Sequence, residues 1–150
     1  MCNNAKLHCP KYLKLKVFSG MVSCIVVDDD PDIVDLFCEL LEMSKIKVLA
    51  KGRDGKQAVE LYEKFKPDVL FVDLSMPKFN GEYAIRKIHR SYPDAKIILL
   101  TGDARSESDL CESLKVYHVI HKPFNIRSIR EFVTVALLDS AVNQNRWGKT

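Results

Sequence analysis

Short apolar runs alternate along this chain with segments of helical periodicity, and this alternation constrains the fold more than any other feature. The runs are rich in Val, Ile and Leu, which is typical of strands buried on both faces of a sheet. They occupy residues 22–27, 46–50, 68–72, 96–100 and 117–121, and the helical patterns follow Asp30 and occupy residues 56–66, 82–91, 104–114 and 126–140. Because a helix separates each strand from the next, the connections are right-handed crossovers and the strands are parallel. The sequence therefore predicts an α/β fold with a five-stranded parallel sheet covered on both faces.

Several helical patterns have an apolar face and a capping residue. Apolar side chains recur at helical spacing, and Asp30, Asp54 and Asn125 stand where N-cap residues are expected. The predicted buried faces are Ile33, Leu36, Phe37, Leu40 and Leu41 in the first helix, Ala58, Leu61, Tyr62 and Phe65 in the second, and Ala84, Ile85 and Ile88 in the third.

Side chains that can take part in binding or in chemical reactions follow four of the five predicted strands. Asp28 and Asp29 follow the first strand, Asp73 the third, Thr101 the fourth and Lys122 the fifth. The carboxyl ends of parallel strands meet at one edge of the sheet, where ligands bind in open α/β folds. Each residue alone has an ordinary explanation as a helix cap, a turn residue or a solvated lysine. If this edge of the sheet had no function, all of these ordinary explanations would have to be true at once.

The acidic residues among them indicate a cation and a nucleophile. Asp30 precedes Pro31 and is accounted for as a helix cap, which leaves Asp28 and Asp29. A hard cation with oxygen ligands, such as Mg²⁺, would neutralise these two carboxylates. Asp73 follows four consecutive apolar residues and ends the central strand. We interpret Asp73 as a nucleophile that accepts a phosphoryl group.

Composition and charge argue against several classes of protein. The formal net charge is +3, and no basic cluster is dense enough to predict nucleic-acid binding. No apolar run approaches the length that spans a bilayer. The five cysteines show neither a disulfide framework nor zinc-site spacing, which favours a reducing compartment. We therefore expect a cytoplasmic protein that binds neither nucleic acid nor membrane.

A chain of 150 residues suits one domain with an ordinary core. Residues 1–20 mix lysines with isolated apolar residues and are predicted to be an N-terminal extension, which is a disordered arm, a short strand or a weak targeting segment. Residues 21–141 form the predicted domain, and residues 142–150 a C-terminal tail without periodicity. We expect a stand-alone domain, since no output domain follows Ser140.

The ordered motifs resemble the CheY-like receiver domains of response regulators in two-component signalling. The matching fragments are V-V-D-D-D-P at 26–31, V-D-L-S-M-P at 72–77, Gly81, L-L-T-G at 99–102 and K-P-F at 122–124. Each fragment is weak alone, but the ordered set is specific and spans residues 22–140. The resemblance implies a doubly wound, flavodoxin-like (βα)5 fold with strand order 2-1-3-4-5.

The resemblance also implies an acceptor and a metal site. Asp73 would attack a phosphohistidine of a sensor histidine kinase or a phosphotransfer protein and become an aspartyl phosphate. Asp28, Asp29 and Asp73 would hold Mg²⁺ together with the backbone carbonyl of Ser75. Such a protein is a signalling domain rather than an enzyme, although it promotes its own phosphorylation and dephosphorylation.

Further implications concern the phosphoryl contacts and the partners. Thr101 and Lys122 would contact the phosphoryl group, and the Lys122–Pro123 peptide bond would be cis. The signal would pass by phosphorylation-dependent binding to an unknown protein target or by phosphorelay. The resemblance implies a monomer or a weak homodimer through the face of the fourth helix, fifth strand and fifth helix.

The sequence departs from the family at the position three residues before Lys122, which is usually aromatic and is Val119 here. Strand alternation predicts that Tyr117 shares the face of Val119 and that His118 takes the other. We therefore expect that movement of Thr101 is not coupled to rotation of an aromatic side chain.

Two alternatives remain open at this point. One is a degenerate receiver that only binds proteins. The other is a phosphatase of the haloacid dehalogenase type, with Asp28 and Asp30 as its Asp-x-Asp motif and Asp28 as nucleophile. No acidic pair follows Lys122, and Asp73 would be unexplained in such an enzyme. The aspartate that carries the phosphoryl group distinguishes this phosphatase from a working receiver.

Overall fold

A five-stranded parallel sheet forms the centre of the structure, a computed structural model that describes residues 22–125 together with residues 127 and 129. The elements are β1 (Ser23–Val27), α1 (Pro31–Met43), β2 (Lys47–Gly52), α2 (Gly55–Phe65), β3 (Val69–Asp73), α3 (Gly81–Ser91), β4 (Ile97–Thr101), α4 (Glu107–Leu114) and β5 (His118–His121). The strands lie in the order β2-β1-β3-β4-β5, and all neighbours are parallel. The flavodoxin-like fold predicted from the sequence is confirmed.

Two apolar clusters cover the two faces of the sheet. On one face, Phe37 of α1 packs edge-on against Phe71 of β3 and against Phe124, with ring centroids 5.0 and 4.9 Å apart. On the other face, α2, α3 and α4 pack on the sheet, with Ile85 and Leu110 fully buried. Every residue of β3 and β4 is buried. This burial explains why both strands read as continuous apolar runs rather than as alternating patterns.

The parallel register sets the carboxyl ends of the central strands side by side. Asp73, the last residue of β3, pairs with Leu100 of β4. Thr101, the last residue of β4, pairs with His121 of β5. The polar residues that end these strands therefore reach the same edge of the sheet.

The buried faces of α1 and α2 are rotated from the predicted ones. The buried residues are Val34, Phe37, Cys38 and Leu41 in α1, and Gly55, Ala58, Val59 and Tyr62 in α2. Leu36 and Phe65 were predicted to be buried but are 49% and 38% exposed, and Ile33, Leu40 and Leu61 are only partly buried. Pairs of adjacent apolar residues allow either rotation of the helix, and packing on the sheet selects one. The predicted face of α3, Ala84, Ile85 and Ile88, is confirmed.

Helix caps hold the loops at the sheet edge. The Asp30 carboxylate accepts hydrogen bonds from the Asp32 and Ile33 amides. The Asp54 carboxylate accepts one from the Gln57 amide at 2.8 Å. Capping satisfies amides at the start of a helix that have no intrahelical partner. Asp30 therefore caps α1 as predicted. The cap does not use the Asp28 carboxylate, which can take another role.

Several element bounds differ from the predicted ones by one to three residues: α4 begins at Glu107 rather than at residue 104, and β5 begins at His118 rather than at residue 117. The predicted N-terminal extension and C-terminal tail lie outside the described residues, as does the predicted helix at 126–140 apart from residues 127 and 129. Within the described part, no helix is both long and apolar enough to cross a membrane.

Candidate functional site

The side chains predicted at the strand ends do meet at one edge of the sheet. Asp28 directly follows β1, Asp73 ends β3 and Thr101 ends β4. Lys122 directly follows β5, and its backbone N–H donates to the Thr101 carbonyl at 2.8 Å. This backbone bond joins the residue after β5 to the end of β4 and holds Lys122 at the edge of the sheet.

Lys122 links two buried carboxylates. Its Nζ donates to Asp28 Oδ2 at 2.6 Å and lies 3.3 Å from Asp73 Oδ1. Asp28 is 1% exposed and Asp73 is 4% exposed. Buried charges are tolerated only when they are paired, and one ammonium here pairs with both carboxylates. The Lys122–Pro123 peptide bond is cis, as predicted.

Three carboxylates form the acidic cluster of the site. Oxygen atoms of Asp28, Asp29 and Asp73 all lie within 4.8 Å of one another. Asp29 is exposed whereas the other two are buried, so the cluster is open to solvent on the Asp29 side. Carboxylate oxygens at this separation, one of them accessible, are the ligands that a hard divalent cation such as Mg²⁺ takes. The donor set therefore fits the predicted metal.

The electrostatic balance of the cluster opposes full ionisation. Burial, together with the Asp28 charge, raises the pKa of Asp73 to about 6, although Lys122 opposes the rise. Burial and the adjacent Asp28 also raise the pKa of Asp29. Burial alone would lower the pKa of Lys122, but the hydrogen bond to Asp28 and the charge of Asp73 outweigh it, and the net shift is upward. Lys122 therefore remains protonated, and its single positive charge is too little to neutralise the three carboxylates around it.

Thr101, at the end of β4, and Ser75, in the loop after β3, lie next to the strand ends that carry the cluster. Thr101 is 1% exposed, and its Oγ1 accepts a hydrogen bond from the Asp103 backbone amide at 2.9 Å. Ser75, two residues beyond Asp73, lines a pocket of about 600 Å³ next to the cluster. We call this the entry pocket; its lining residues are Asp29, Leu74, Ser75, Met76, Pro77, Asn80, Glu82, Asp103 and Arg105.

Gly81 keeps the acceptor loop tight. Its amide donates to the Leu74 carbonyl at 3.0 Å. A Cβ atom on Gly81 would collide with the backbone carbonyl of Asp73. Gly81 is one of the residues that carry the family resemblance in the sequence, but this close approach is visible only in the three-dimensional structure.

Arg105 is a residue of the entry pocket that sequence reasoning missed. Its guanidinium pairs with Asp103 through Nε at 3.1 Å and Nη2 at 2.9 Å. A lone arginine in a polar loop gives no sequence signal of its own, so only the fold reveals its position.

The predicted side for Tyr117 is wrong. Tyr117 packs against the cluster that contains Ile120, whereas Val119 is buried in the cluster on the opposite face. Because β5 begins at His118, the strand alternation used for the prediction does not extend to Tyr117. Val119 itself is 3% exposed, so a fully packed aliphatic side chain occupies the position.

The strand order, the acidic cluster and Lys122 all lie in a part of the chain that also matches a known family. The sequence matches the response regulator receiver domain family over residues 24–134. The chain belongs to this family.

Relatives of two lengths are found. "Transcriptional regulatory protein DegU" of Brevibacillus brevis is 37% identical over 87 residues, which are 57% of this chain and 37% of DegU. "Protein CcdB" of Bacillus subtilis is 33% identical over 116 residues, which are 76% of this chain and 96% of CcdB. The chain thus spans about a third of DegU and nearly all of CcdB.

A solved structure also matches. It is the response regulator TrrA of Thermotoga maritima in complex with Mg²⁺-BeF, with a TM-score of 0.68 and 30% identity. The match covers 78% of this chain and all of TrrA.

Proposed function

We propose that this chain is a single-domain response regulator that accepts a phosphoryl group from a histidine kinase or phosphotransfer protein on Asp73. The observation that carries the proposal is the contact of one ammonium, Lys122 Nζ, with both buried carboxylates of the cluster. A carboxylate that meets an anionic donor needs such compensation. The likeness to TrrA, whose structure holds Mg²⁺-BeF, supports the same assignment.

In the proposed reaction, a carboxylate oxygen of Asp73 attacks the phosphorus of a phosphohistidine. The new O–P bond forms while the P–N bond breaks, and the electron pair of that bond returns to the imidazole. Lys122 pairs with the incoming phosphoryl oxygens, and the Thr101 hydroxyl donates a hydrogen bond to one of them. Such transfer depends chiefly on positioning and charge stabilisation.

We assign the metal ligands of this reaction to Asp28, Asp29, Asp73 and the backbone carbonyl of Ser75. Bound Mg²⁺ supplies positive charge for the oxygens of the transferring group. Asp29 is the exposed member of the set and gives the cation its path from solvent. Asp30 is not a ligand in this assignment, because its carboxylate caps α1.

The signal would reach a downstream protein, or a phosphotransfer partner, through a difference in binding between the two phosphorylation states. Since Val119 is packed and aliphatic, we expect weak coupling between Thr101 and the surface of α4 and β5. Chemical-shift changes on phosphorylation should concentrate at the sheet edge. Large changes throughout residues 110–121 would contradict this expectation.

The test is intact mass after incubation with Mg²⁺ and acetyl phosphate. The wild type should gain one phosphoryl group, and EDTA or Asp73→Asn should abolish the gain. Asp35→Asn is the matched control, because Asp35 is an exposed carboxylate paired with Lys51; this variant should be phosphorylated normally.

Other results would favour the alternatives. A gain that persists in Asp73→Asn but is lost in Asp28→Asn would indicate the phosphatase-like reaction. No gain, together with no beryllofluoride binding and unchanged partner binding by Asp73→Ala, would indicate a protein-binding module without phosphotransfer.

A further inference from the structure

The entry pocket has an unfavourable charge for its proposed ligand. Of its described lining residues, three carry carboxylates, Asp29, Glu82 and Asp103, and one is a cation, Arg105. Both a phosphohistidine and a small phosphodonor arrive as anions. Carboxylates that line an approach route slow such ligands, because the field of the pocket acts before contact is made.

Three hydrogen bonds hold Arg105 against one of these carboxylates, Asp103. Its guanidinium donates to Asp103 Oδ2 through two nitrogens, at 3.1 and 2.9 Å. Its backbone amide donates to Asp103 Oδ1 at 2.8 Å. Hydrogen bonds from Arg105 hold the pKa of Asp103 below its usual value, so the carboxylate is charged whenever a donor approaches.

A hydrogen bond from its backbone amide holds Asp103 close to the reacting groups. Its amide donates to Thr101 Oγ1 at 2.9 Å, and Thr101 ends β4 beside Asp73. A charge on Asp103 therefore lies at the side of the pocket where the phosphoryl oxygens would arrive. Glu82, by comparison, has its own partner in Arg86 at 2.7 Å, which leaves Arg105 as the partner of Asp103.

We infer that Arg105 is a positioning residue that admits anionic phosphodonors to the site by neutralising Asp103 at the entry pocket. The inference rests on the proposed function of Asp73. It assigns to Arg105 no contact with the reacting atoms. In the reaction with acetyl phosphate, Asp73 oxygen forms a bond to phosphorus while the bond from phosphorus to the acetyl oxygen breaks, and acetate leaves with the electron pair.

The experiment measures initial rates of phosphorylation by intact mass, in Mg²⁺ and at low and high salt. Arg105→Ala should lower the rate with acetyl phosphate by roughly threefold to tenfold at low salt, as one unneutralised charge acts on a dianion. The loss should shrink at high salt because screening weakens the repulsion. It should also be smaller with phosphoramidate, which carries one negative charge fewer, and Arg105→Lys should restore most of the rate.

A double-mutant cycle separates charge neutralisation from a direct contact. In an Asp103→Asn background, Arg105→Ala should have little further effect, because no carboxylate remains to be neutralised. An equal loss in both backgrounds would overturn the inference and indicate contact with the donor. Lys51→Ala is the matched control, since Lys51 is 51% exposed in a salt bridge with Asp35, compared with 54% for Arg105; it should leave the rate unchanged.

Failure of the inference is distinguishable from failure of the proposed function. If the wild type is phosphorylated on Asp73 and Arg105→Ala reacts as fast as the wild type with each donor, the inference alone is wrong. If the wild type takes up no phosphoryl group from either donor, the proposed function and the inference fail together.

Discussion

Asp73→Asn should stabilise the metal-free protein at neutral pH, although the same change should abolish phosphorylation. Burial and the neighbouring Asp28 raise the pKa of Asp73 from 3.8 to about 6. The ionised carboxylate is therefore less stable in the folded chain than in the unfolded chain. An asparagine removes this charge while it keeps nearly the same shape.

The sign and the pH window follow from the two pKa values. Well below pH 3.8 the carboxyl group is protonated in both states, and the shift costs nothing. Between pH 3.8 and about 6 the unfolded chain ionises first, so the wild type loses stability as the pH rises. Above about pH 6 both states are ionised, and the full cost remains.

A shift of about two pKa units corresponds to an upper limit of about 3 kcal/mol. That shift already includes the favourable 3.3 Å contact of Lys122 with Asp73, which opposes the rise of the pKa. Lys122 retains its 2.6 Å bond to Asp28, so the lysine is not left unpaired. We expect a net gain of about 1–3 kcal/mol in the free energy of unfolding above pH 6.

The assay is urea unfolding followed by far-ultraviolet circular dichroism, in EDTA, from about pH 4 to about pH 8. The difference between Asp73→Asn and wild type should grow with pH and then level off. Asp35→Asn should not stabilise, because that carboxylate is exposed. A variant less stable than wild type at neutral pH, or a difference independent of pH, would show that the Asp73 charge does not destabilise the folded protein. Added Mg²⁺ should stabilise the wild type more than the variant.

Three further predictions concern the scaffold of the site. Phe37→Ala should cost about 3–5 kcal/mol of unfolding free energy in the same denaturation assay, because it leaves a cavity between α1 and the sheet. Gly81→Ala should slow phosphorylation in the mass assay, since its Cβ would displace the backbone of Asp73; an unchanged rate would show that the loop adapts. Ser106→Ala should lower stability by about 0.5–2 kcal/mol, because the Ser106 side chain accepts from the Asp109 amide at the start of α4; no loss in thermal unfolding would contradict the cap.

The edge of the sheet that carries the site was predictable from sequence because strand order and chemistry are linked. A parallel sheet sends every carboxyl end to one edge, so residues far apart in the chain, such as Asp28 and Lys122, could be placed together. The faces of α1 and α2 were not predictable in the same way. Leu36 and Phe37 are adjacent and apolar, and helical spacing alone does not decide which of them faces the sheet.

The entry pocket lay beyond sequence reasoning for a different reason. Arg105 acts through Asp103, two residues away in an irregular loop. No periodicity governs such a loop, and an arginine beside an aspartate is common on protein surfaces. Only the position of this pair beside Thr101 gives it a functional meaning.

The charges of the cluster predict whether the cation binds before or after the phosphodonor reacts. When ionised, Asp28, Asp29 and Asp73 carry three negative charges, and Lys122 supplies a single positive charge. The metal-free cluster is thus short of positive charge, and burial together with this shortage raises the pKa values of Asp73 and Asp29. A divalent cation makes up the shortfall and allows Asp73 to remain ionised and nucleophilic. The cation should therefore bind before the phosphodonor reacts, and proton release from the cluster should accompany its binding at a pH below about 6.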